Sequence, residues 1–415
     1  MVEHANSQRR RRRRTLSVLA GAAVAVVAAA LTVGSVPFAR AEASLVPATS
    51  DGWAGIVRDE VTIPMDGGWV SKGELTYPRG AKGRLPTVVL LHGSGKNDLN
   101  ETVDTGATPL EQVAQTANHQ GFAVLRFNKR GVVDVGPKLS DNPAFLYPAK
   151  PYEQVVRDAA AAVRFAAKSS RVDTGRLFLF GHSEGTQVAS NLAAAPRTYG
   201  IPGPAGVVEM GVVSGTPREV VYYQAVGAGL GQLHDEFDFD GDGLLTADEV
   251  TKGLLGQPAG TAQQLRPLLL DGVHDDKVNS RLDANGDGKL AIDAEVRPAV
   301  EAAAGFAKYP NLTNAPKGFA DYLVDIARFP TPAQDLVHYH GSVLLLNGQT
   351  DIQTRVLGAI VTDAALTTAG NRDHKLITYP GMGHFLNVTP QYNPAEANPD
   401  PVVLADIGKW LARHR

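Results

Sequence analysis

The sequence predicts an α/β fold: a mostly parallel sheet with flanking helices, interrupted late by a helical insertion that carries two acidic loops. Three observations point there. Apolar runs of strand length, such as 87–91 and 177–180, alternate with helix-length runs at 108–120, 152–169 and 354–369. Two of the apolar runs end in small-residue loops, His92-Gly93-Ser94-Gly95 and Gly181-His182-Ser183-Glu184-Gly185. Between the second loop and a later apolar run, Ser342 to Leu346, lie more than a hundred residues that an alternating core does not need.

Gly68 to Tyr77 alternates apolar and polar residues, as an early antiparallel hairpin strand does. Thr87 to Leu91 reads as a buried strand. The His-Gly-Ser-Gly loop after it can set backbone N–H groups against a developing negative oxygen, because small residues let the backbone touch a substrate. A plain strand-ending turn is the other reading. Leu177 to Phe180 then runs into Gly-x-Ser-x-Gly, and Thr186 to Ala195 suits a helix. Strand, tight turn and helix are the context of a nucleophile elbow. Ser183 is the candidate nucleophile, and the amides of Ser94 and Glu184 are the candidate oxyanion donors. The Glu184 side chain is structural or reads a cationic or hydroxylated substrate group, the structural role being favoured. Val207 to Val213 supplies the strand after the elbow helix.

Downstream, the strand Ser342 to Leu346 leads into Asn347-Gly348-Gln349-Thr350-Asp351. An acid at the carboxyl end of a late strand can orient a histidine and support its charge; an Asx-turn carboxylate is the alternative. His374 to Tyr379 forms the last strand, and Pro380-Gly381-Met382-Gly383-His384-Phe385 is the loop before a final amphipathic helix, 402–414. Of 11 histidines, His384 occupies a loop at the required edge, and it is the candidate general base.

With these motifs and Gly121-Phe122-Ala123-Val124-Leu125-Arg126-Phe127-Asn128-Lys129-Arg130-Gly131, the chain resembles secreted bacterial α/β-hydrolase esterases, near dienelactone hydrolases and prolyl-oligopeptidase-like serine hydrolases. The resemblance covers roughly residues 58–215 and 337–415. It is specific for fold and for the chain order Ser183, Asp351, His384, and weak for substrate. It implies attack by Ser183 on an acyl carbonyl, proton transfer through His384, and support from Asp351. Insertions at this point in the fold grow as lids, so the inserted segment is expected to cover the active site.

Within the insertion, Asp238-Phe239-Asp240-Gly241-Asp242-Gly243-Leu244-Leu245-Thr246-Ala247-Asp248-Glu249 fits the EF-hand calcium loop at every position. Asp238, Asp240 and Asp242 supply carboxylates at positions 1, 3 and 5, Leu244 a carbonyl at position 7, and Glu249 the closing ligand. A second loop, residues 283–295, offers Asp283, Asn285, Asp287 and the Lys289 carbonyl, but position 12 is Ala294. Either the exiting helix shifts to bring Glu295 in, or Asp293 or water closes a weaker site. Helical runs are expected at 219–236, 261–270 and 291–307. The implied cofactor is Ca2+, in a structural role.

Arg9 to Arg14, an apolar run from Leu16 to Val33 and Ala39-Arg40-Ala41 make an export signal over residues 1–41, compatible with the twin-arginine route. An uncleaved leader would act as a membrane anchor. Without those residues, which hold seven Arg and one Glu, the chain keeps 33 basic and 42 acidic residues, a net charge near −9. That sign argues against nucleic-acid partners. Zero cysteines exclude disulfides, a thiol nucleophile and thiolate metal sites. The expected layout is a leader at 1–41, core at 42–213, insertion at 214–337 and core again at 338–415. The expected protein is a secreted or extracytoplasmic serine hydrolase of small-molecule acyl esters or thioesters. A peptidase or amidase with the same triad, or a calcium-dependent binding protein with an inert core, are the rivals.

Overall fold

The computed structural model describes residues 52–136, 138–272 and 274–415; the leader read over 1–41 lies outside them. The chain forms two compact units. One is Arg218–Ala320, and the other joins the described residues up to Pro217 with Asp321–Arg415.

The larger unit is built on strands β1 (Ile56–Pro64), β2 (Val70–Pro78), β3 (Leu85–Leu91), β4 (Ala123–Phe127), β5 (Val172–His182) and β6 (Gly206–Met210). Strands β7 (Leu244–Leu245) and β8 (Leu290–Ala291) belong to the smaller unit, and β9 (Ser342–Gly348) and β10 (His374–Tyr379) complete the main sheet. Its order is β1-β2-β4-β3-β5-β6-β9-β10. The pairs β1–β2 and β2–β4 are antiparallel, and every pair from β4–β3 onward is parallel. The mostly parallel sheet expected from the sequence is present.

Helices α1 (Pro109–His119), α2 (Pro151–Lys168), α3 (Glu184–Ala194), α4 (Val356–Thr368) and α5 (Pro401–His414) flank it. Alternation along β3 sends Val89 and Leu91 to one face, against Val156 and Val163 of α2, Leu192 of α3 and Leu366 of α4. Val88 and Leu90 face the other way, toward Leu110 and Val113 of α1 and Ile407 and Trp410 of α5. With both faces covered, the central strands are apolar without interruption. Each fully buried Val, Leu or Phe contributes about 1.5–3 kcal/mol of transfer free energy.

This topology fixes where a site can form. From β3 the chain crosses to β4 on one side, and from β5 to β6 on the other. Loops leaving the adjacent carboxyl ends of β3 and β5 therefore diverge, which opens the crevice where such sheets bind ligands.

The smaller unit starts at Arg218, close to the expected 214, but ends at Ala320 and not at 337. Residues 321–337 instead pack in the larger unit. Asp325 accepts a 2.8 Å bond from the Glu153 amide at the start of α2, the Phe329 ring lies 4.9 Å from that of Tyr152, and Asp335 accepts from Asn191 of α3. These contacts are long-range and polar or edge-on, so periodicity carries no sign of them.

In the smaller unit, β7 and β8 pair antiparallel, with Leu245 opposite Leu290 and both fully buried. This short sheet ties the two acidic loops side by side. The first loop sits between helices Ala228–Glu236 and Ala247–Leu255, the second of which is not among the expected helical runs. It is nucleated by a capping box: Thr246 accepts from the Glu249 amide, and the Glu249 carboxylate accepts from the Thr246 amide at 2.9 Å. The helix expected at 261–270 spans Ala259–Leu269 and ends well short of Asp283, so it does not lead directly into the second loop.

Candidate active site

The elbow is visible in the backbone. Ser183 sits at φ 53°, ψ −121°, a conformation that costs a residue with a Cβ about 1–3 kcal/mol. Neighbouring bonds hold it there. The Ser183 amide donates to the Met210 carbonyl of β6 at 2.9 Å, while the Thr186 amide and hydroxyl donate to the Ser183 carbonyl at 2.9 and 2.7 Å. A Cβ at Gly181 would collide with the Gly185 carbonyl, and one at Gly185 with the Leu91 carbonyl. Both glycines are required because β5, α3 and β3 approach backbone to backbone.

Asp351 and His384 come from the turns after β9 and β10. His384 Nδ1 lies 2.9 Å from Asp351 Oδ2, and both side chains are buried. Asp351 Oδ1 also accepts from the amides of Gln353 and Thr354, at 2.7 and 2.9 Å, and Oδ2 from the Thr354 hydroxyl at 2.7 Å. Burial alone would raise the Asp351 carboxyl; the His384 partner and the Thr354 bonds outweigh it and hold the group below its ordinary value. Asn347, buried at the end of β9, accepts from the Val212 amide and donates to the Thr354 carbonyl, fixing this turn to the end of β6. At Gly211 a Cβ would stand 3.2 Å from His384 Cε1 and 3.3 Å from Nδ1, so glycine at φ 67° lets the imidazole lie against that strand end. Ser183, Asp351 and His384 thus gather at the carboxyl end of β6.

Several side chains around this cluster are buried in polar contacts that the sequence reading does not specify. His182 Nδ1 lies 3.0 Å from Glu101 Oε1, and its Nε2 3.3 Å from the His384 carbonyl. Glu101 Oε1 also accepts from the Gly93 amide at 2.7 Å, with Glu101 itself at φ 54°. On the other side of Ser183, Glu184 is buried, and its Oε1 takes the Lys129 ammonium at 2.6 Å while Oε2 takes the Tyr322 hydroxyl at 2.6 Å. Lys129 belongs to the Asn128-Lys129-Arg130-Gly131 stretch, where Arg130 forms a two-pronged pair with Asp158 of α2 at 2.6 and 2.7 Å. His92 is buried against Phe127, and burial pushes its imidazole down to about 4, so it is neutral near pH 7.

In the first acidic loop one oxygen from each of Asp238, Asp240 and Asp242 lies within 4.8 Å of the others. Gly243 takes the sharp turn at φ 78°, and its amide donates to Asp238 Oδ2 at 2.9 Å. Glu249 faces its own helix cap at Thr246. In the second loop Ile292–Val296 forms a π turn, which accommodates the additional residue before the acid. Glu295 Oε1 thereby reaches back to accept from the amides of Ala284 and Asn285 at 2.8 and 3.1 Å. Asp293 turns outward, to Arg297 and toward His234. Asp283 accepts from the amides of Gly286, Asp287 and Gly288, as Asp238 does from those of Gly241, Asp242 and Gly243. The oxygen-rich donor sets of both loops fit a hard divalent cation.

A strand–serine–helix turn at the switch point of a mostly parallel sheet, facing an acid–histidine pair from two later strands, is the arrangement of an α/β hydrolase. The chain belongs to the alpha/beta hydrolase family, which residues 88–397 match. It is 33% identical over 129 residues to the esterase EstD of Thermotoga maritima, a match that spans 31% of this chain and 28% of that protein. Among solved structures it is similar to a bacterial heroin esterase, at 16% identity and TM-score 0.48 over 94% of this chain and 89% of that one. It is also similar to Est1E from Butyrivibrio proteoclasticus, at 15% identity and TM-score 0.45 over 86% and 98%.

Proposed function

We propose that the protein is a serine hydrolase that cleaves carboxylic esters of small molecules through an acyl-enzyme. The observation that carries this reading is the buried 2.9 Å contact between His384 and Asp351 beside a serine in a strained elbow. With Nδ1–H donated to Asp351, the lone pair of His384 Nε2 is free to take a proton. Ser183 Oγ attacks the acyl carbon as His384 Nε2 takes its proton, and the oxyanion is met by the amides of Ser94 and Glu184. Each such donor is worth about 3–4 kcal/mol in comparable enzymes. The tetrahedral species collapses, His384 returns the proton to the departing alkoxide, and an acyl-Ser183 remains. Water, deprotonated by His384, then releases the carboxylic acid and regenerates the hydroxyl.

The EF-hand loops are proposed to hold Ca2+ and to stabilise the inserted unit, with Asp238, Asp240, Asp242, the Leu244 carbonyl and Glu249 as one ligand set. Asp283, Asn285, Asp287, the Lys289 carbonyl and Glu295 form the other. Calcium supplies charge neutralisation to these loops and takes no part in the reaction. Export through the 1–41 leader is proposed from its sequence.

A panel of p-nitrophenyl esters and matching anilides, run with wild type and Ser183→Ala, tests the assignment, together with labelling by a fluorophosphonate. Ester turnover lost in the alanine variant, with label on Ser183, is expected. Label on another serine, or full activity in Ser183→Ala, would sink it; preference for the anilides would transfer the reading to an amidase.

A further inference from the structure

Lys129 lies two residues beyond β4, outside the acid–base groups, yet its buried ammonium contacts both segments that carry the oxyanion donors. One contact is the ion pair with Glu184 Oε1 at 2.6 Å. The other is a hydrogen bond to the Gly93 carbonyl, which also accepts from Asn97 Nδ2 at 2.9 Å. The Gly93 carbonyl and the Ser94 N–H are the two ends of one planar trans peptide, so they point in opposite directions. Whatever holds the oxygen aims the N–H. The preceding His92–Gly93 peptide is held too, since the Gly93 amide donates to Glu101 at 2.7 Å.

Charge adds to orientation. A cation on an amide oxygen draws electron density through the peptide and makes its N–H a stronger donor, an effect that grows where water is excluded. The Glu184 carboxylate, held by Lys129 and by the Tyr322 hydroxyl, anchors the first residue of α3, whose N–H is the second donor. A buried ion pair is poor evidence of stabilisation, because apolar replacements of similar volume often do as well or better. A placement that touches both donor segments calls for another account.

We propose that Lys129 is a positioning residue of the oxyanion hole: its ammonium orients and polarises the Gly93–Ser94 peptide and locks it to Glu184. The proposal rests on the ester-hydrolase reading above. It distinguishes Lys129 from Arg130, whose bidentate pair with Asp158 and bond to the Asp66 carbonyl tie down the scaffold.

The test compares wild type, Lys129→Met, Glu184→Gln and the double variant Lys129→Met/Glu184→Gln on one p-nitrophenyl ester. Each is also titrated with a fluorophosphonate and with a trifluoromethyl ketone, which forms an oxyanion on Ser183. Removing a whole oxyanion donor costs about 10²–10³ in kcat, so misaiming one is expected to cost roughly 10- to 100-fold. Lys129→Met should lose that factor in kcat with KM within about twofold, and lose ketone affinity in proportion. The double variant carries no orphaned buried charge and should regain the wild-type melting temperature without regaining kcat. Glu184→Gln alone, which keeps Lys129 on Gly93, should lose less. Wild-type kcat in Lys129→Met, a loss wholly in KM, or recovery of kcat in the double variant would overturn the proposal while leaving the triad standing. A wild-type protein that neither labels at Ser183 nor hydrolyses the ester overturns both.

Discussion

His182 and Glu101 form a buried acid–histidine pair directly beside the one between His384 and Asp351: Nδ1 to Oε1 is 3.0 Å, and the His182 and His384 rings lie 4.7 Å apart. His182 stands between two acceptors, the Glu101 carboxylate and the His384 carbonyl, so both its nitrogens donate only when it is protonated. Burial opposes that charge, but Glu101 and the carbonyl outweigh it and raise the imidazole above its ordinary value of 6.5. Burial likewise opposes the Glu101 charge, and His182 outweighs it, leaving that carboxyl below 4.5.

Both directions bear on stability against pH. The raised histidine contributes fully below its unfolded value of 6.5, and the contribution is lost as pH rises through the folded one. The lowered carboxyl contributes above its unfolded value of 4.5, and its part is lost as pH falls through the folded one. The pair therefore supports the fold most between those two values. His182→Gln is expected to lower the melting temperature most near pH 5–6, with a gap to wild type that narrows at alkaline pH. Melting curves from pH 4 to 9 decide it, and a gap constant over that range would refute the ionised pair.

Asp351→Asn keeps the shape of the turn while removing the charge and inverting one hydrogen bond to His384. The imidazole is then held in the wrong tautomer, and kcat is expected to fall by about 10⁴-fold. Ser183 should still label with a fluorophosphonate, more slowly. A kcat within tenfold of wild type would remove Asp351 from the mechanism.

The sequence exposes Ser183 and Asp351 because each follows a strand whose last residues are buried on both faces and read as an unbroken apolar run. His384 instead follows the half-buried edge strand β10 and is legible from its place in the loop before the last helix. Glu101 and Lys129 escape the same reading. Glu101 reaches the site because the segment 93–101 folds back onto Gly93 and His182, and Lys129 reaches it from the turn after β4. A loop carboxylate at positive φ and a lone loop lysine have no periodic signature. The end of the insertion escapes it too, since Tyr322, Asp325 and Asp335 are tied to the larger unit by long-range polar contacts that leave no periodic pattern. In the second acidic loop the surplus residue before Glu295 is legible, but its absorption by a π turn is a backbone solution that residue spacing does not specify.

Glu209, wholly buried on β6, gives a second pH dependence, in which the native group costs stability. Burial pushes its carboxyl up to about 8; Ser190 bonds one oxygen, and the other has no partner among the described residues. A carboxyl raised in the fold binds a proton that the unfolded chain has released, so stability falls as pH climbs from 4.5 to about 8. Glu209→Gln keeps the neutral shape and removes that loss. Its melting temperature should match wild type near pH 5 and exceed it increasingly up to pH 8. A variant less stable than wild type at pH 8 would show that the carboxylate is compensated.

Calcium should act on the inserted unit and only indirectly on catalysis, because no proposed catalytic residue lies between Arg218 and Ala320. Asp238, Asp240 and Asp242 converge within 4.8 Å, and these like charges repel unless a cation neutralises them. At a concentration ten times the dissociation constant, a ligand of the folded state adds about 1.4 kcal/mol of stability by mass action. A chelator is therefore expected to lower the melting temperature, and excess calcium to restore it. Asp238→Ala should mimic chelation more strongly than Asp283→Ala, since the first loop alone carries its acid at position 12. Glu295→Gln is expected to weaken the proposed second site without altering the first, because the π turn brings that carboxylate back onto the Ala284 and Asn285 amides of the loop. Calorimetric titration of the metal-stripped protein counts the sites directly. Two sites in wild type and one in Glu295→Gln is the expected result. No binding heat, with melting curves indifferent to chelator, would show that the loops are acidic turns that hold no ion.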